Sequence, residues 1–274
     1  MRIDCDFHMH SEHSLDGRLP PAEMVRIAKE RGLSAIAISD HNTFAGSKEA
    51  MALGDTGVLI IPSVEYATEL GHILALFLTR ELPKEYLRPL DDFHFEFDRV
   101  IDGIHACGGL AVFAHPFKSK ARTGAERDIF DRVDGIEVFN GRAAAKFNHD
   151  ANEKACRAAE ELGLFFTAGS DSHTAPELGN ARLTLEVEEL TLEEVRRALL
   201  EKKGTVWGRN AKVLHCARSA FTKWKKKRAF RRYPKAVLYL IGAWGLDLLK
   251  RIGLVRGNQG RYFVREGVFV DDTH

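Results

Sequence analysis

The sequence predicts an α/β protein: a closed or nearly closed barrel of about seven parallel β/α units, followed by a basic helical extension. Three observations carry this. Short apolar runs alternate with helical segments through residues 1–208. Most of those runs end in a histidine or an acid, where barrels of this kind build their sites. The charge also changes sign along the 274-residue chain. Residues 209–274 hold 16 Lys/Arg against 4 Asp/Glu, a charge of +12, which leaves −11 for residues 1–208.

The elements follow in order. Arg2 to Phe7 reads as a strand that runs into His8 and His10, and spacing by two puts both imidazoles on one face. Asp16 comes next, just before the turn residue Gly17. Pro20-Pro21 opens a helix that Gly32 closes. Ser34-Ala-Ile-Ala-Ile-Ser39 is apolar throughout, as a strand covered on both faces is, and ends in Asp40-His41-Asn42-Thr43. A third strand over residues 57–64 ends at Glu65, and a fourth, His72 to Leu78, is led by its histidine. A helix over 92–107 stops at Gly108-Gly109, and Leu110 to Ala114 then leads to His115-Pro116. A short helix near Ala125–Arg132 precedes the strand Gly135–Asn140, which carries Glu137. A long helix from Ala143 to Leu162 stops at Gly163, and Leu164 to Ala168 leads to Gly169-Ser170-Asp171-Ser172-His173. Arg182 to Val187 forms a last strand, and the capping-box pattern Thr191-x-x-Glu194 opens a helix ending near Gly204.

Cys5, Cys107, Cys156 and Cys216 are scattered, with no Cys-x-x-Cys pair, as reduced thiols of a cytoplasmic protein are. The first strand begins at once, so no leader is expected. No apolar run approaches the ~20 residues a membrane span needs.

Two neutral imidazoles held side by side suit a divalent transition metal, and the later strand ends repeat the theme. The set His8-x-His10, Asp16-Gly17, Ser39-Asp40-His41-Asn42, Glu65, His72, Ala114-His115-Pro116 and Gly169-Ser170-Asp171-Ser172-His173 resembles the PHP (polymerase and histidinol phosphatase) superfamily of metal-dependent phosphoesterases. The resemblance covers about residues 1–208, with the motifs in the family's order. It implies a distorted (β/α)7 TIM-like barrel holding two or three divalent ions. The first ion would take His8, His10, Glu65 and Asp171. The second would share Glu65 and add His72 and His115. The third would take Asp16, His41 and His173. Mixed imidazole and carboxylate ligands suit zinc, manganese or iron and are poor for calcium. Asp40 is expected to orient a ligand imidazole. Lys118 and Arg142, on loops at the catalytic face, are expected to contact phosphate, and His13 to protonate the leaving oxygen. His94, His105, His149, His215 and His274 lie outside the ligand pattern.

The expected activity is hydrolysis of a small phosphorylated metabolite, nucleotide or short oligonucleotide, with hydroxide drawn from a metal-acidified water. Two alternatives stand beside it. One is hydrolysis of an amide or carbamate, since the same attack serves acyl centres and Asp16 falls one residue later than in many phosphatase relatives. The other is a non-catalytic, metal-bound regulatory module. Residues 209–274 are expected to form a separate extension whose loss from residue 216 onward leaves the metal centre intact. Residues 209–235 carry eleven Lys/Arg and no acid, with Trp224, Phe230 and Tyr233 interleaved, and an apolar stretch follows to Leu249. Through residues 209–251 it is expected to meet an anionic membrane surface or nucleic acid, or to pack on the barrel or a second subunit.

Overall fold

Residues 1–118, 127–145, 149–254, 261–265 and 268–272 are described by the computed structural model. The first half runs β1 (Arg2–Met9), α1 (Pro21–Glu30), β2 (Ala35–Ile38), α2 (Ala45–Met51), β3 (Leu59–Ile60), β4 (Ser63–Thr68), β5 (Gly71–Leu76), α3 (Phe97–Ala106) and β6 (Leu110–Phe113). The second half runs α4 (Arg127–Phe130), β7 (Gly135–Asn140), α5 (Ala151–Leu162), β8 (Phe165–Gly169), β9 (Ala181–Glu186), α6 (Leu192–Leu200), β10 (Thr205–Gly208), α7 (Val213–Lys226), α8 (Tyr233–Arg251), β11 (Arg261–Arg265) and β12 (Val268–Asp272).

The strands form a seven-stranded sheet, β12-β11-β10-β9-β1-β2-β3, and a five-stranded sheet, β4-β5-β6-β7-β8. The mixed α/β class is as expected, and the uniformly parallel pairing is not. The run expected as one strand over 57–64 is divided at Ile61-Pro62, because proline brings no N–H to a ladder. β3 ends the first sheet there and β4 begins the second. Only Glu69 and Leu70 separate β4 from β5, too few for a parallel crossover, so the two pair antiparallel. β5–β6, β1–β9 and β9–β10 are antiparallel as well, while β1–β2, β6–β7 and β7–β8 are parallel.

The two sheets are stitched together at the strand ends that carry the histidines. Asp171 N donates to His8 O at 2.8 Å, and His10 N to Ser172 O at 2.8 Å. On the other side Asn42 N donates to Glu65 O at 2.9 Å, and Glu65 N to Asp40 O at 3.2 Å. Phe7, Tyr66, Leu74, Phe113, Ile136, Phe139 and Phe165 belong to the apolar core beneath, each contributing about 1.5–3 kcal/mol of transfer free energy. A second cluster, with Met9, Met24, Ile36 and Ile38, seats α1.

Several helix ends differ from expectation. α3 starts at Phe97 because Asp91 Oδ1 takes the N–H groups of Phe93 and His94 at 2.7 and 2.8 Å, holding a turn there. α5 starts at Ala151, since residues 141–145 form turns after β7. The expected helix start at Ala125 lies outside the described residues. Gly163 closes α5 in the left-handed conformation, and the Thr191 hydroxyl accepts from Glu194 N at 3.2 Å, both as expected.

The tail is tied into the body more closely than a separate extension would be. The first sheet continues past residue 208 through β11 and β12. The Asp247 carboxylate accepts from Val213 N at 3.1 Å and Leu214 N at 2.9 Å, capping α7 from α8. Lys250 Nζ donates to Ala145 O at 3.2 Å. Lys226, at the end of α7, donates to the carbonyls of Glu12, Ser14 and Gly17 at 2.8, 2.7 and 2.9 Å. Those carbonyls belong to the loop that carries Asp16, so removing residues 216–274 would remove a contact of the candidate centre.

Candidate metal centre

All nine expected ligands meet where the two sheets are stitched. Glu65, fully buried on β4, stands in the middle. Its Oε1 lies 2.8 Å from His72 Nδ1 and 3.0 Å from His115 Nε2. Its Oε2 lies 3.4 Å from His8 Nε2, 3.2 Å from His10 Nε2 and 2.9 Å from His41 Nδ1. The antiparallel β4–β5 hairpin explains why His72 leads its strand: reversal of direction puts the start of β5 beside the end of β4. Asp171 Oδ1 sits 3.9 Å from His8 Nε2 and 3.4 Å from His10 Nε2. Asp16 Oδ1 lies 3.4 Å from His173 Nε2 and 3.8 Å from His41 Nε2. Among the described residues, four triads of side chains have ligand atoms close enough to share an ion: His8/His10/Glu65, His8/His115/Asp171, His41/Glu65/His72 and His10/His41/His173.

The hydrogen bonds behind the imidazoles fix which nitrogen is offered. Glu137, which reads from sequence only as a strand-end acid, receives His8 Nδ1–H at 2.9 Å on Oε1. Its Oε2 accepts from His115 N at 2.9 Å and Asn140 Nδ2 at 3.0 Å. Ser14 Oγ gives its one proton to Asp40 Oδ1 at 2.8 Å, so His10 Nδ1, 3.2 Å away, must donate to Ser14. When both rings are neutral their Nε2 atoms present lone pairs, and they face each other 3.0 Å apart. A cation between them resolves that repulsion. Asp16 Oδ1, His41 Nδ1 and Glu65 Oε2 are buried and make no hydrogen bond, although the last two are 2.9 Å apart. Buried polar atoms without partners are costly, and divalent ions held in this cluster would satisfy them. The donor set fits.

Electrostatics prepare only part of that state. Burial opposes charge on His8 and His10, yet the facing carboxylates raise both, Glu137 and Glu65 acting on His8 and Asp171 and Glu65 on His10, which rises to about 9. A cation must therefore displace protons there. Burial opposes charge on Glu65, Asp171 and Asp16, yet the facing imidazoles hold all three carboxyls well below the usual range, with Lys118 acting first on Asp171. Burial pushes His115 down to about 3, with Lys118 adding to it, and His173 down to about 4, with Arg142 adding. His41 is lowered by burial as well. Ionised carboxylates and neutral imidazoles are the forms that bind metal.

The other expected residues are placed differently. Asp40 touches no ligand imidazole: it holds Ser11 N at 2.8 Å, Ser11 Oγ at 2.6 Å and Ser14 Oγ, and reaches His10 only through Ser14. Gly46 makes room for it, because a Cβ there would overlap Asp40 Oδ2. Lys118 Nζ pairs with Asp171 Oδ2 at 2.7 Å and helps line a groove of about 400 Å³ with His72, His94 and His115. Arg142 is buried, with Nε and Nη2 on Glu177 at 2.7 Å each and Nη2 also on Ser219 Oγ at 2.7 Å. It braces the loop around His173, whose N–H reaches the same Glu177 at 3.3 Å. His13 is not brought into the cluster: the turn after Ser11 directs it outward, and its ring bonds Glu49 Oε2 at 2.7 Å.

Sequence reasoning gave no role to Asp6, Ser14 or Glu177, and placed Lys226 only among the charges of the basic tail. Asp6 lies on β1 two residues before His8, and its buried carboxylate takes Ser170 N and Gly179 N at 2.9 Å each. Its place in the same strand alternation was the available signal. Nothing local marks Lys226 among its neighbouring lysines.

A family model described as PHP-associated matches residues 149–203. An uncharacterized protein of Methanocaldococcus jannaschii is 33% identical over 150 residues, which cover 50% of this chain and 82% of that protein. A 5'-3' exoribonuclease of Haemophilus influenzae is 38% identical over 84 residues, 29% of this chain and 30% of that one. The crystal structure of a two-domain Bacteroides vulgatus protein, described as containing a predicted PHP-like metal-dependent phosphoesterase, superposes with a TM-score of 0.59 at 22% identity. That match covers 76% of this chain and 65% of the other. With the motifs meeting at one place and these likenesses around them, the chain belongs to the PHP (polymerase and histidinol phosphatase) superfamily.

Proposed function

We propose that this protein is a metal-dependent phosphoesterase acting on a small phosphorylated metabolite, nucleotide or short oligonucleotide. The observation that carries the reading is Glu65, whose two oxygens face separate groups of imidazoles, as a bridging carboxylate does. The reading assigns His8, His10, Glu65 and Asp171 to one ion, Glu65, His72 and His115 to a second, and Asp16, His41 and His173 to a third. Two or three divalent ions held there supply Lewis acidity, an activated water and charge neutralisation at a phosphoryl group. The sheets, meeting at both edges of the site, are assigned the distorted barrel arrangement of the superfamily.

The chain's own residues do the rest. Glu137 and Ser14 keep His8 and His10 in one tautomer and orientation. Lys118, on the wall of the groove, exchanges part of its pairing with Asp171 for a phosphoryl oxygen. Arg142 serves as a brace, since its described contacts are spent on Glu177 and Ser219. A second groove, of about 550 Å³, flanks the Asp16 loop; Arg18, Arg218 and Lys225 line it beside the acid Glu12, a net-positive surface suited to an anionic substrate. The exoribonuclease likeness supports a phosphoester substrate.

The test is metal counting on purified protein, followed by turnover of p-nitrophenyl phosphate, bis(p-nitrophenyl) phosphate and p-nitrophenyl acetate with manganese, zinc or iron. Bound metal with turnover of a phosphate ester is expected. Turnover of the acetate alone would favour an acyl hydrolase, and metal-loaded protein with no turnover would remove the enzymatic reading.

A further inference from the structure

Helix α8 presents an uninterrupted apolar face to solvent. Ala236 and Ala243 are buried on its α7 side, whereas the opposite arc carries Leu238 at 69%, Ile241 at 61% and Trp244 at 59% exposure. Val237, Leu248 and Ile252 extend the arc at helical spacing. Gly242 and Gly245 lie in open space on the same side. Asp247, the one acid of residues 209–251, is turned inward onto the N-terminus of α7. Exposed Arg231, Arg232 and Lys235 flank the near end of the face, and Arg251 the far end. A solvent-facing apolar patch of this extent marks an interaction site.

We propose that α8 docks in the plane of an anionic lipid bilayer, its apolar arc in the headgroup–acyl boundary and its flanking arginines and lysines on the lipid phosphates. The charge pattern chooses this occupant. Pairing α8 with a second copy of itself would bring basic flanks together with no free acid to answer them. Nucleic acid would answer the charge and leave the aliphatic arc uncovered. An anionic bilayer satisfies both parts at once. The 19 residues of α8 give a helix about 28 Å long, and no helix among the described residues is long and apolar enough to cross a membrane. This inference does not depend on the phosphoesterase reading.

The experiment is vesicle flotation of the full-length, metal-loaded protein, with phosphatidylcholine alone and with about one third phosphatidylglycerol. Binding to the anionic vesicles is expected, with a blue shift of tryptophan emission. Leu238→Asp with Ile241→Asp should lower the partition at least about tenfold, and Arg231→Gln with Arg232→Gln and Lys235→Gln should lower it comparably on anionic vesicles. These positions are exposed, and unchanged thermal melts would show the variants folded. Equal binding to neutral vesicles would overturn the charge argument. Absence of vesicle binding would overturn the proposal outright, whether the protein is then found monomeric, dimeric through α8 by sedimentation, or bound only to DNA.

Discussion

Lys226→Met offers the sharpest test of how the tail meets the metal centre. The ammonium group spends its three protons on the carbonyls of Glu12, Ser14 and Gly17. Methionine keeps most of the stem and loses every donor. A charged hydrogen bond is worth about 1.5–3 kcal/mol net, but Lys226 is exposed and water can replace part of what is lost. The three together are therefore taken as about 2 kcal/mol in the order of the 12–17 loop, or about thirtyfold in an equilibrium constant. Asp16 is the one candidate ligand in that loop, so the loss should fall on the Asp16/His41/His173 cluster. Calorimetric titration of the stripped protein should show the weakest cation binding ten- to thirtyfold less tightly (about 1.4–2 kcal/mol) while the tighter sites hold. Lys227→Met removes the same charge from a neighbouring exposed position and should leave all affinities unchanged. Wild-type affinity at every site in Lys226→Met would refute the coupling, and so would an equal loss in Lys227→Met.

Glu65→Gln should lose metal from two clusters together, since a neutral amide cannot offset two cations; full metal content by elemental analysis would show that Glu65 is not shared. Arg142→Met leaves the buried Glu177 carboxylate without its partner and should cost about 3–5 kcal/mol in denaturant unfolding. Stripping with a chelator removes ligands that bind only the folded chain; with free metal at a hundred times its Kd the loss is about 2.7 kcal/mol, read as a fall in Tm of about 5–10 °C.

The candidate site was more legible than the sheets that carry it. Ligand chemistry is written in residue type and spacing, so His8, His10, Glu65 and Asp171 stand out before any fold is known. Strand direction is written in connection length, and the clue was there: two residues between Thr68 and Gly71 allow only a hairpin. Pro62 likewise marked the break between β3 and β4. The roles of Arg142 and Lys226 were not legible, because each depends on a partner far along the chain, Glu177 and Ser219 for one and the Glu12–Gly17 loop for the other. A basic side chain on a loop reads the same whether it awaits a phosphate or is already buried on a carboxylate. His13 misled for the opposite reason: closeness in sequence to the ligands does not decide which way a turn directs a ring.

Backbone strain collects at this site, and it can be measured. Asn42, His115 and Asp171 each follow a strand end and take positive φ, at 57°, 32° and 51°. Such conformations cost about 1 kcal/mol or more for residues with a Cβ. They persist where the surroundings fix them, and at Asn42 those surroundings are explicit. Its Oδ1 accepts from Ala67 N at 2.9 Å, its Nδ2 donates to Phe93 O at 2.7 Å, and its own N–H holds Glu65 O. The side chain thus joins the His41 turn to the strand bearing Glu65 and to Phe93, whose ring lies edge-on to His41. Asn42→Gly loses both side-chain bonds, at about 1 kcal/mol each, and relieves the strain. Asn42→Ala loses the same bonds and keeps it. Stability by denaturant titration should therefore fall in the order wild type, glycine, alanine, with about 1 kcal/mol between the two variants. If alanine proves equal to or more stable than glycine, the positive φ is not costing what the geometry implies, and the turn would have to relax when the asparagine is lost.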